Sequence, residues 1–328
     1  MKRVLIIRFS SIGDIVLCSP VLRNLKQQFP QIQIDILTKS NFVSVWKDNP
    51  HIHRILKWDD KRDTQAWKST SYDLILDLHN NLRSFRVKCL RWDVPNMSMS
   101  KENLKKMALV LTKMPFFAST PISERYNGLL EKVGIKCDNN GLDFYGLESL
   151  PPDFNLSQPY HVIALGGSYE TKQVPTKKYV EFLSTEGSEI PFVLIGGKGE
   201  IESAAAIQMA FPGKTIDLTG KLSLGQSAQL VKECRVLVSG DTGMAHIGAA
   251  LGKPILWIWG STTPQLGMMS PKKPNQGELI SMEVLGLGCR PCSKLGHHKC
   301  PKKHFKCMDH NPGLWRENLE KLSASALG

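Results

Sequence analysis

Apolar residues along the chain occur in short continuous runs that are separated by stretches with helical spacing. In the first half, four apolar runs predict strands at 2–7, 32–37, 54–58 and 72–78. Between the first two runs, positions 15–29 carry apolar residues on one face of a predicted helix. Apolar strands that alternate with helices are typical of a parallel, doubly wound α/β sheet. We therefore predict one such lobe in residues 1–150.

The alternation resumes after a polar, proline-containing stretch at 142–159, which predicts a linker. Four more strands and four more helices follow from the same spacing rules. The predicted strands are 161–165, 192–195, 236–239 and 255–259, and the predicted helices are 176–182, 200–209, 223–233 and 243–251. We predict a second doubly wound lobe over residues 151–311 and a final helix within 312–328. Two such lobes face a central cleft, and their ligands bind at the carboxyl ends of the strands.

Composition and charge place the chain among globular proteins with anionic partners. Its 328 residues are 41% hydrophobic and 22% charged, which excludes a disordered or fibrous chain. Lysine and arginine outnumber aspartate and glutamate by 42 to 30, so the net charge is +12. This balance favours nucleotides, phosphorylated glycans, acidic lipid headgroups or nucleic acid. The N-terminus lacks a signal-peptide pattern and no apolar run is long enough to span a membrane, so we expect a cytoplasmic protein.

A nucleic-acid-binding protein is the non-enzymatic alternative that the basic charge suggests. Such a protein needs a basic stripe with stacking aromatic side chains. The seven tryptophans are instead dispersed, and Trp257 and Trp259 fall within a predicted strand. The pattern therefore favours partners other than nucleic acid.

The loop after the first predicted strand contains a candidate catalytic carboxylate. Ser11, Gly13 and Asp14 stand where this loop enters the first helix, and Ser11 and Gly13 are candidate contacts to an acceptor. A carboxylate at the carboxyl end of a strand can act as a general base. The alternative is that Asp14 only complements the helix dipole in the first turn. Spacing alone leaves both interpretations open.

The stretch at 239–246 predicts an anion-binding site. Asp241, Thr242 and Gly243 open a predicted helix, and backbone N–H groups at a helix N-terminus suit a pyrophosphate. His246 lies one helical turn further and can face the same anion. The alternative is an aspartate N-cap and a core histidine.

Glycine-rich turns follow two other predicted strands of the second lobe. Gly166 and Gly167 form the first turn, with Lys172 shortly after it, and Gly196 and Gly197 form the second. Each turn alone is a weak signal. Together with the anion-binding stretch, they predict the rim of one nucleotide-binding crevice.

Polar residues after the strand at 72–78 are candidate contacts to an acidic acceptor. His79, Asn81 and Arg83 can bind a glycan, or they can form a solvated loop with a capping asparagine. Three lysines beyond them suit phosphates or an anionic membrane surface, although such a charge run is also typical of a solvated face. These lysines are Lys101, Lys105 and Lys106.

These loops, in this order, resemble the ADP-heptose:lipopolysaccharide heptosyltransferases of glycosyltransferase family 9. The resemblance rests on residues 11–14, on the D-T-G-x-x-H element at 241–246 and on the loop at 260–264. It implies the GT-B fold, with two Rossmann-like lobes and a C-terminal helix that crosses back to the first lobe. It also implies inverting, metal-independent transfer of a heptose or related sugar from an ADP-activated donor to a lipopolysaccharide core or lipid A-type acceptor. Such an enzyme needs no catalytic cofactor and contacts the inner membrane peripherally.

The resemblance also assigns roles to individual residues. Asp14 matches the family's proposed general base, and Asp241 within the donor-binding loop should contact the sugar. Lys172 falls where the family has a basic residue near the donor phosphates, although Val174 replaces the family's tryptophan. A carboxylate that holds the ribose should follow the turn at 196–197. Glu200 and Glu202 both fit loosely, and the sequence does not choose between them, although Glu202 is included among the candidate donor-binding residues. A GT-B transferase with another nucleotide sugar and another glycan acceptor is the alternative.

Four cysteines cluster near the C-terminus, at Cys289, Cys292, Cys300 and Cys307. Four thiolates can hold a structural zinc ion in tetrahedral geometry. The spacing is not that of a standard zinc finger, so a zinc site, reduced cysteines that pack a loop, and disulfides all stay open. We do not expect a catalytic metal there, because four protein ligands leave no open coordination position.

Overall fold

A computed structural model describes residues 1–152, 156, 158–187, 189–271 and 277–325. The described chain forms two α/β lobes, each built on one parallel sheet. This arrangement confirms the predicted fold class. No helix among these residues is long and apolar enough to cross a membrane.

The first lobe has a five-stranded sheet in the order β3-β2-β1-β4-β5. Its strands are β1 (Arg3–Ile7), β2 (Gln33–Thr38), β3 (Arg54–Lys57), β4 (Leu74–Asp77) and β5 (Asn96–Ser98). Its helices are α1 (Ile12–Val16), α2 (Ser19–Gln28), α3 (Val43–Trp46), α4 (Lys61–Ser69), α5 (Leu82–Leu90), α6 (Asn103–Thr112) and α7 (Ile122–Glu131). The central strand β1 is almost wholly buried, so the loop that follows it opens at the middle of the sheet edge.

The predicted helix at 15–29 is in fact two helices, α1 and α2. Pro20 lies in the first turn of α2, where its missing N–H costs no intrahelical hydrogen bond. The break also shortens α1 to five residues, which places Asp14 in its first turn at the edge of the sheet.

The second lobe has a six-stranded sheet in the order β11-β10-β9-β6-β7-β8. Its strands are β6 (His161–Ala164), β7 (Phe192–Ile195), β8 (Thr215–Asp217), β9 (Leu237–Gly240), β10 (Ile255–Trp259) and β11 (Leu279–Glu283). Its helices are α8 (Thr176–Thr185), α9 (Ile201–Ala210), α10 (Leu224–Glu233), α11 (Gly243–Ala250) and α12 (Pro312–Ser325). The loops after β6, β7, β9 and β10 therefore share one edge of this sheet.

The C-terminal helix α12 packs on the second lobe. Its apolar side chains Trp315, Leu319 and Leu322 are buried in one cluster with Phe182 and Phe192. The prediction that this helix crosses back to the first lobe is wrong, because its apolar face is covered by α8 and the neighbouring sheet. Residues 326–328 lie outside the described residues.

The two lobes touch directly through α1 and α11. A β-carbon on Gly243, at the start of α11, would lie 2.6 Å from Cβ of Ile12. The predicted linker at 142–159 begins inside the first lobe, because Leu142 and Phe144 are buried in its core. Residues 153–155 and 157 of that linker lie outside the described part of the chain.

Candidate functional site

A cleft with a volume of about 440 Å³ lies between the lobes. The first lobe contributes the start of α1, and the second lobe contributes the loops after β6, β7 and β9. The predicted site residues that line it are Ser11, Gly13, Gly166, Gly167, Lys172, Asp241, Thr242, Gly243 and His246. The structure thus brings together residues that stand more than 200 positions apart in the sequence.

Asp14 stands in the first turn of α1, immediately beside the residues that line the cleft. Its Oδ2 accepts hydrogen bonds from Oγ of Ser11 at 2.8 Å and from the Ser11 N–H at 3.2 Å. Its Oδ1 lies 2.7 Å from Nη2 of Arg8, the first residue after β1. The carboxylate is therefore held by both the helix start and a cation at the strand end.

The pKa of Asp14 reflects these contacts. Burial raises it, but the charge of Arg8 and the hydrogen bonds from Ser11 outweigh burial and lower the pKa to about 2. Arg8 is itself buried and donates to the Ser10 carbonyl at 2.8 Å and to the Tyr126 hydroxyl at 3.2 Å. Asp14 is therefore ionised at neutral pH and fixed in orientation.

Arg8 was not among the residues that the sequence analysis selected. A charged residue directly after an apolar strand is the signal that points to it. Its partners Leu78 and Tyr126 are distant in the sequence, so spacing alone does not indicate them.

On the second lobe, Lys172 and Asp241 form a buried ion pair. Nζ of Lys172 lies 2.6 Å from Oδ2 of Asp241. The same oxygen accepts a hydrogen bond from Oγ1 of Thr262 at 2.9 Å. Thr262 belongs to the loop after β10, so these contacts connect the loops after β6, β9 and β10. The lysine is thereby held at the cleft wall in one position.

Thr242 caps α11, and its Oγ1 accepts the Ala245 N–H at 3.4 Å. The N–H of Thr242 donates to the Gly240 carbonyl at 2.9 Å, which takes this amide away from the anion role predicted for it. The first helical turn, which begins at Gly243, still presents N–H groups that lack intrahelical partners. The helix N-terminus therefore faces the cleft as predicted.

His246 combines the two interpretations left open by the sequence. Its ring is buried, donates to or accepts from Oγ of Ser270 at 2.9 Å, and packs edge-on against Trp257. Burial lowers the pKa of His246 to about 4, with a smaller contribution from the charge of Lys172. The neutral imidazole also reaches Gly13, where a β-carbon would lie 2.9 Å from Nε2. His246 is thus a core residue and part of the cleft wall.

The glycine-rich turns contact each other through Glu200. Its Oε2 accepts the Gly197 N–H at 2.8 Å, and a β-carbon on Gly166 would lie 2.8 Å from its Oε1. Gly166 has a φ of +94°, which favours glycine for a second reason. Glu200 lines the cleft, whereas Glu202 points outward from the first turn of α9. Of the two carboxylates that the sequence leaves open, the structure therefore brings only Glu200 to the cleft lining.

The predicted acceptor residues after β4 lie near the cleft rather than in its lining. His79 packs edge-on against Phe9, and the guanidinium of Arg83 lies 5.3 Å from the centre of the same ring. Oδ1 of Asn81 accepts the Ser84 N–H at 3.0 Å. Asn81 is therefore the N-cap of α5, and its side-chain oxygen is engaged there.

Basic residues of the first lobe lie within electrostatic reach of Asp14. Lys101 and Lys106 are partly buried, and burial lowers the pKa of Lys106 to about 8, with Arg125 as the next cause. Among the described residues, Nε and Nη2 of the buried Arg125 have no hydrogen-bond partner. Lys105 lies further out and pairs with Glu102 at 3.2 Å. The lysines are recognisable in the sequence as a charge run, whereas Arg125 lies inside a helix without a distinctive motif.

The cysteine-rich segment, residues 289–307, packs against the second-lobe loops after β6 and β10. All eight cysteines are free, and Sγ of Cys289 lies 3.8 Å from Nε2 of His304. Within the described ranges, no three metal-ligating side chains are grouped closely enough to hold a metal ion. The arrangement gives no support to the zinc site, which stays a prediction.

Arg290 attaches this segment to the loop after β10. Its side chain is buried and donates to the carbonyls of Gly260 and Thr262, each at 2.6 Å. It also pairs with Glu283 at 2.6 Å. Because Thr262 also donates to Asp241, this loop connects Arg290 to a residue of the cleft lining. No sequence motif indicates it.

Comparison with known proteins gives consistent matches. The model of Glycosyltransferase family 9 (heptosyltransferase) matches residues 62–297. The lipopolysaccharide heptosyltransferase 1 of Pseudomonas aeruginosa is 24% identical over 318 residues, covering 89% of this chain and 86% of that protein. The lipopolysaccharide heptosyltransferase 2 of Salmonella typhimurium is 23% identical over 98% of both chains.

Two solved structures share the fold over nearly the whole chain. The E. coli ADP-heptose lps heptosyltransferase II has a TM-score of 0.72 at 18% identity and covers 100% of both chains. The E. coli heptosyltransferase WaaC with ADP has a TM-score of 0.68 at 20% identity, covering 97% of this chain and 99% of that one. These likenesses confirm the GT-B arrangement of the two lobes.

Proposed function

Because the chain belongs to glycosyltransferase family 9, we propose that it transfers a heptose or related sugar from an ADP-activated donor to an acidic, lipopolysaccharide-type acceptor. The observation that carries this proposal is the shared cleft. An ionised carboxylate, Asp14, adjoins the first-lobe lining at Ser11 and Gly13, and a helix N-terminus with a lysine stands on the second-lobe side of that cleft. A sugar transfer needs both of these parts within reach of one anomeric carbon.

The second lobe supplies the groups that a nucleotide diphosphate requires. The N-terminus of α11 and the ammonium of Lys172 offer positive potential for the pyrophosphate. The glycine-rich turns allow a ligand to approach the backbone closely. Glu200 on the cleft wall is the proposed partner of the ribose hydroxyls. The solved relative whose structure contains ADP supports the choice of this nucleotide.

Asp14 is the proposed general base of an inverting displacement. The acceptor hydroxyl attacks the anomeric carbon as the bond from that carbon to the phosphate oxygen breaks, and the bonding electron pair leaves with ADP. The hydroxyl proton passes to Asp14, which is ionised and correctly held for this purpose. A carboxylate with a pKa near 2 is a weak base, so an acceptor anion that draws charge away from Arg8 would strengthen it.

The acidic nature of the acceptor follows from the cations on the first lobe. Lys101, Lys106 and Arg125 lie on the acceptor side of Asp14 and are all partly or fully buried. Buried cations of like charge are costly unless an anion neutralises them. Phosphates or carboxylates of a glycolipid headgroup would do so. This acceptor places the enzyme at the cytoplasmic side of the inner membrane.

The transfer is proposed to need no metal ion. Lys172 and the first-turn N–H groups of α11 can stabilise the charge that develops on departing ADP. The zinc ion predicted for the cysteine-rich segment would have a structural and not a catalytic role. Metal analysis of the purified protein by mass spectrometry tests it, and turnover in the presence of a chelator tests metal independence.

The first experiment is thermal stabilisation by ADP, UDP, GDP, CDP and AMP without added metal. A ligand that binds only the folded protein raises its melting temperature by mass action. Selective stabilisation by ADP supports the proposal, and ADP-heptose with a purified acceptor then measures transfer directly. Selective stabilisation by UDP or GDP would mean that the donor carries that nucleotide instead of ADP. No response to any nucleotide would contradict the proposed function.

A further inference from the structure

The outer face of α6 exposes apolar side chains where a solvated helix normally has polar ones. Leu104, Met107 and Leu111 are spaced by three and four residues, so they lie on one face of the helix. Leu109, on the opposite face, is fully buried. The stripe continues into the following turn with Met114 and Phe116. These five residues retain between 49% and 86% of their accessible surface.

The cysteine-rich segment contacts both ends of α6, the helix that carries this apolar stripe, and it is strongly basic. Nζ of Lys113, at the end of α6, donates to the Pro291 carbonyl at 2.7 Å. Nζ of Lys294 reaches Oδ1 of Asn103, at the start of α6, at 3.5 Å. Positions 294–306 carry five lysines and no acidic residue. The exposed lysines of that segment are Lys294, Lys299, Lys302, Lys303 and Lys306.

The same helix also faces the catalytic side of the molecule. Lys106 lies on α6, and the charges of Asp14 and Lys294 both act on it. One side of α6 therefore borders the acceptor region, while another side carries the exposed stripe. The glycan part of a glycolipid would face the acceptor region, and its lipid part would face the exposed stripe.

We propose that the apolar stripe of α6 and the lysines at 294–306 together form a membrane-docking surface that inserts into an anionic bilayer. The apolar side chains enter the boundary between headgroups and acyl chains, and the lysines bind the lipid phosphates around them. Continuity with the acceptor side and complementarity of charge both favour a bilayer over another protein. This inference rests on the proposed function, because it explains how a glycolipid headgroup reaches Asp14 while its acyl chains stay in the membrane.

Co-sedimentation with vesicles tests the surface. The wild-type protein should bind vesicles of phosphatidylethanolamine and phosphatidylglycerol more strongly than vesicles of phosphatidylcholine alone. The triple variant Leu104→Ser/Met107→Ser/Leu111→Ser should bind the anionic vesicles roughly tenfold more weakly, because apolar insertion is lost. The double variant Lys294→Glu/Lys299→Glu, which includes the lysine that contacts α6, should bind the anionic vesicles more weakly by a similar factor and should lose most of the salt dependence of binding.

Matched controls separate the surface from general effects. Met209→Ser removes an equally exposed apolar side chain from α9 of the second lobe, and Lys232→Glu reverses an exposed charge on α10. Both should bind vesicles like the wild type. Equal vesicle binding by the triple variant and the wild type would overturn the proposal. If that variant also lost a self-association that the wild type shows in sedimentation velocity, the stripe would be the contact surface for a second copy of the chain instead of a bilayer.

An activity assay with two acceptors keeps this test distinct from the proposed function. The triple variant should turn over a deacylated, water-soluble acceptor as fast as the wild type does. With the acylated acceptor in vesicles, its rate should fall about as much as its vesicle binding. If the wild type uses neither acceptor, the proposed function fails, whereas the vesicle-binding result still decides the docking surface.

Discussion

Gly13 and His246 touch across the interface of the two lobes, because the buried imidazole occupies the space that a side chain on Gly13 would need. The ring cannot easily move aside, since Ser270 and Trp257 hold it. Gly13 stands beside Asp14, so this contact sets the distance between the proposed base and the donor side. The absence of a side chain at position 13 is therefore part of the site geometry.

Gly13→Ala should force α1 and α11 apart. We expect turnover to fall at least tenfold and the free energy of unfolding to fall by about 1–3 kcal/mol, as for other overpacked sites. Gly128→Ala is the control, because a β-carbon there meets nothing within 4 Å. Steady-state kinetics and denaturant unfolding of both variants check this, and full activity in Gly13→Ala would show that the contact is unimportant.

Arg8→Gln should raise the pKa of Asp14, because the cation that holds it near 2 is removed while burial remains. The acid limb of the pH–rate profile reports the proton acceptor and should move upward by about 1–3 pH units. Arg62→Gln, an exposed change on α4, should leave the profile in place. An unchanged acid limb in Arg8→Gln would remove Arg8 as the group that tunes Asp14.

Arg290 is a positioning residue for the donor side. Arg290→Met should raise the dissociation constant of ADP about tenfold, because the loop carrying Thr262 loses two charged hydrogen bonds. Arg290→Lys should recover part of that affinity through the ion pair with Glu283. Calorimetric titration with ADP measures both, with Arg316→Met on α12 as the exposed control. Normal ADP affinity combined with lower stability would assign Arg290 a purely structural role.

Buried histidines should make the protein sensitive to moderate acid. Burial lowers the pKa of His79, His161, His246 and His310 to about 4 in the folded state. The unfolded chain therefore takes up protons first, and stability is lost as the pH falls from about 6.5 towards 4. Scanning calorimetry should show a falling melting temperature over this range. His161→Phe should reduce the slope, and parallel curves for variant and wild type would contradict this assignment.

The sequence predicts the fold most accurately where strands are continuous and apolar. The strands at 192–195 and 255–259 have the same bounds as β7 and β10. The strands β5, β8 and β11 were missed. β5 and β8 have only three residues each with polar members, which form no recognisable period, and β11 includes polar residues and has only one buried side chain. The docking of α12 was also mispredicted, since an amphipathic pattern defines an apolar face but not the surface that covers it.

The residues of the candidate site likewise divide into those that local sequence positions and those that distant contacts position. Asp14, Lys172 and the loop at 241–246 are predictable because strand ends and glycine turns fix their positions locally. Arg8 and Arg290 depend on contacts with residues far along the chain, and such contacts leave no spacing to detect. The choice between Glu200 and Glu202 required the observed turn after β7, which directs only one carboxylate to the cleft.

The most direct test of the account is the paired measurement of turnover and ADP affinity in Asp14→Asn. In the proposed mechanism, Asp14 on the first lobe takes the proton and the second lobe binds ADP. Transfer from ADP-heptose should therefore fall by about 10²–10⁴-fold in Asp14→Asn, while the dissociation constant of ADP stays close to that of the wild type. Turnover near the wild-type rate in Asp14→Asn would contradict the account.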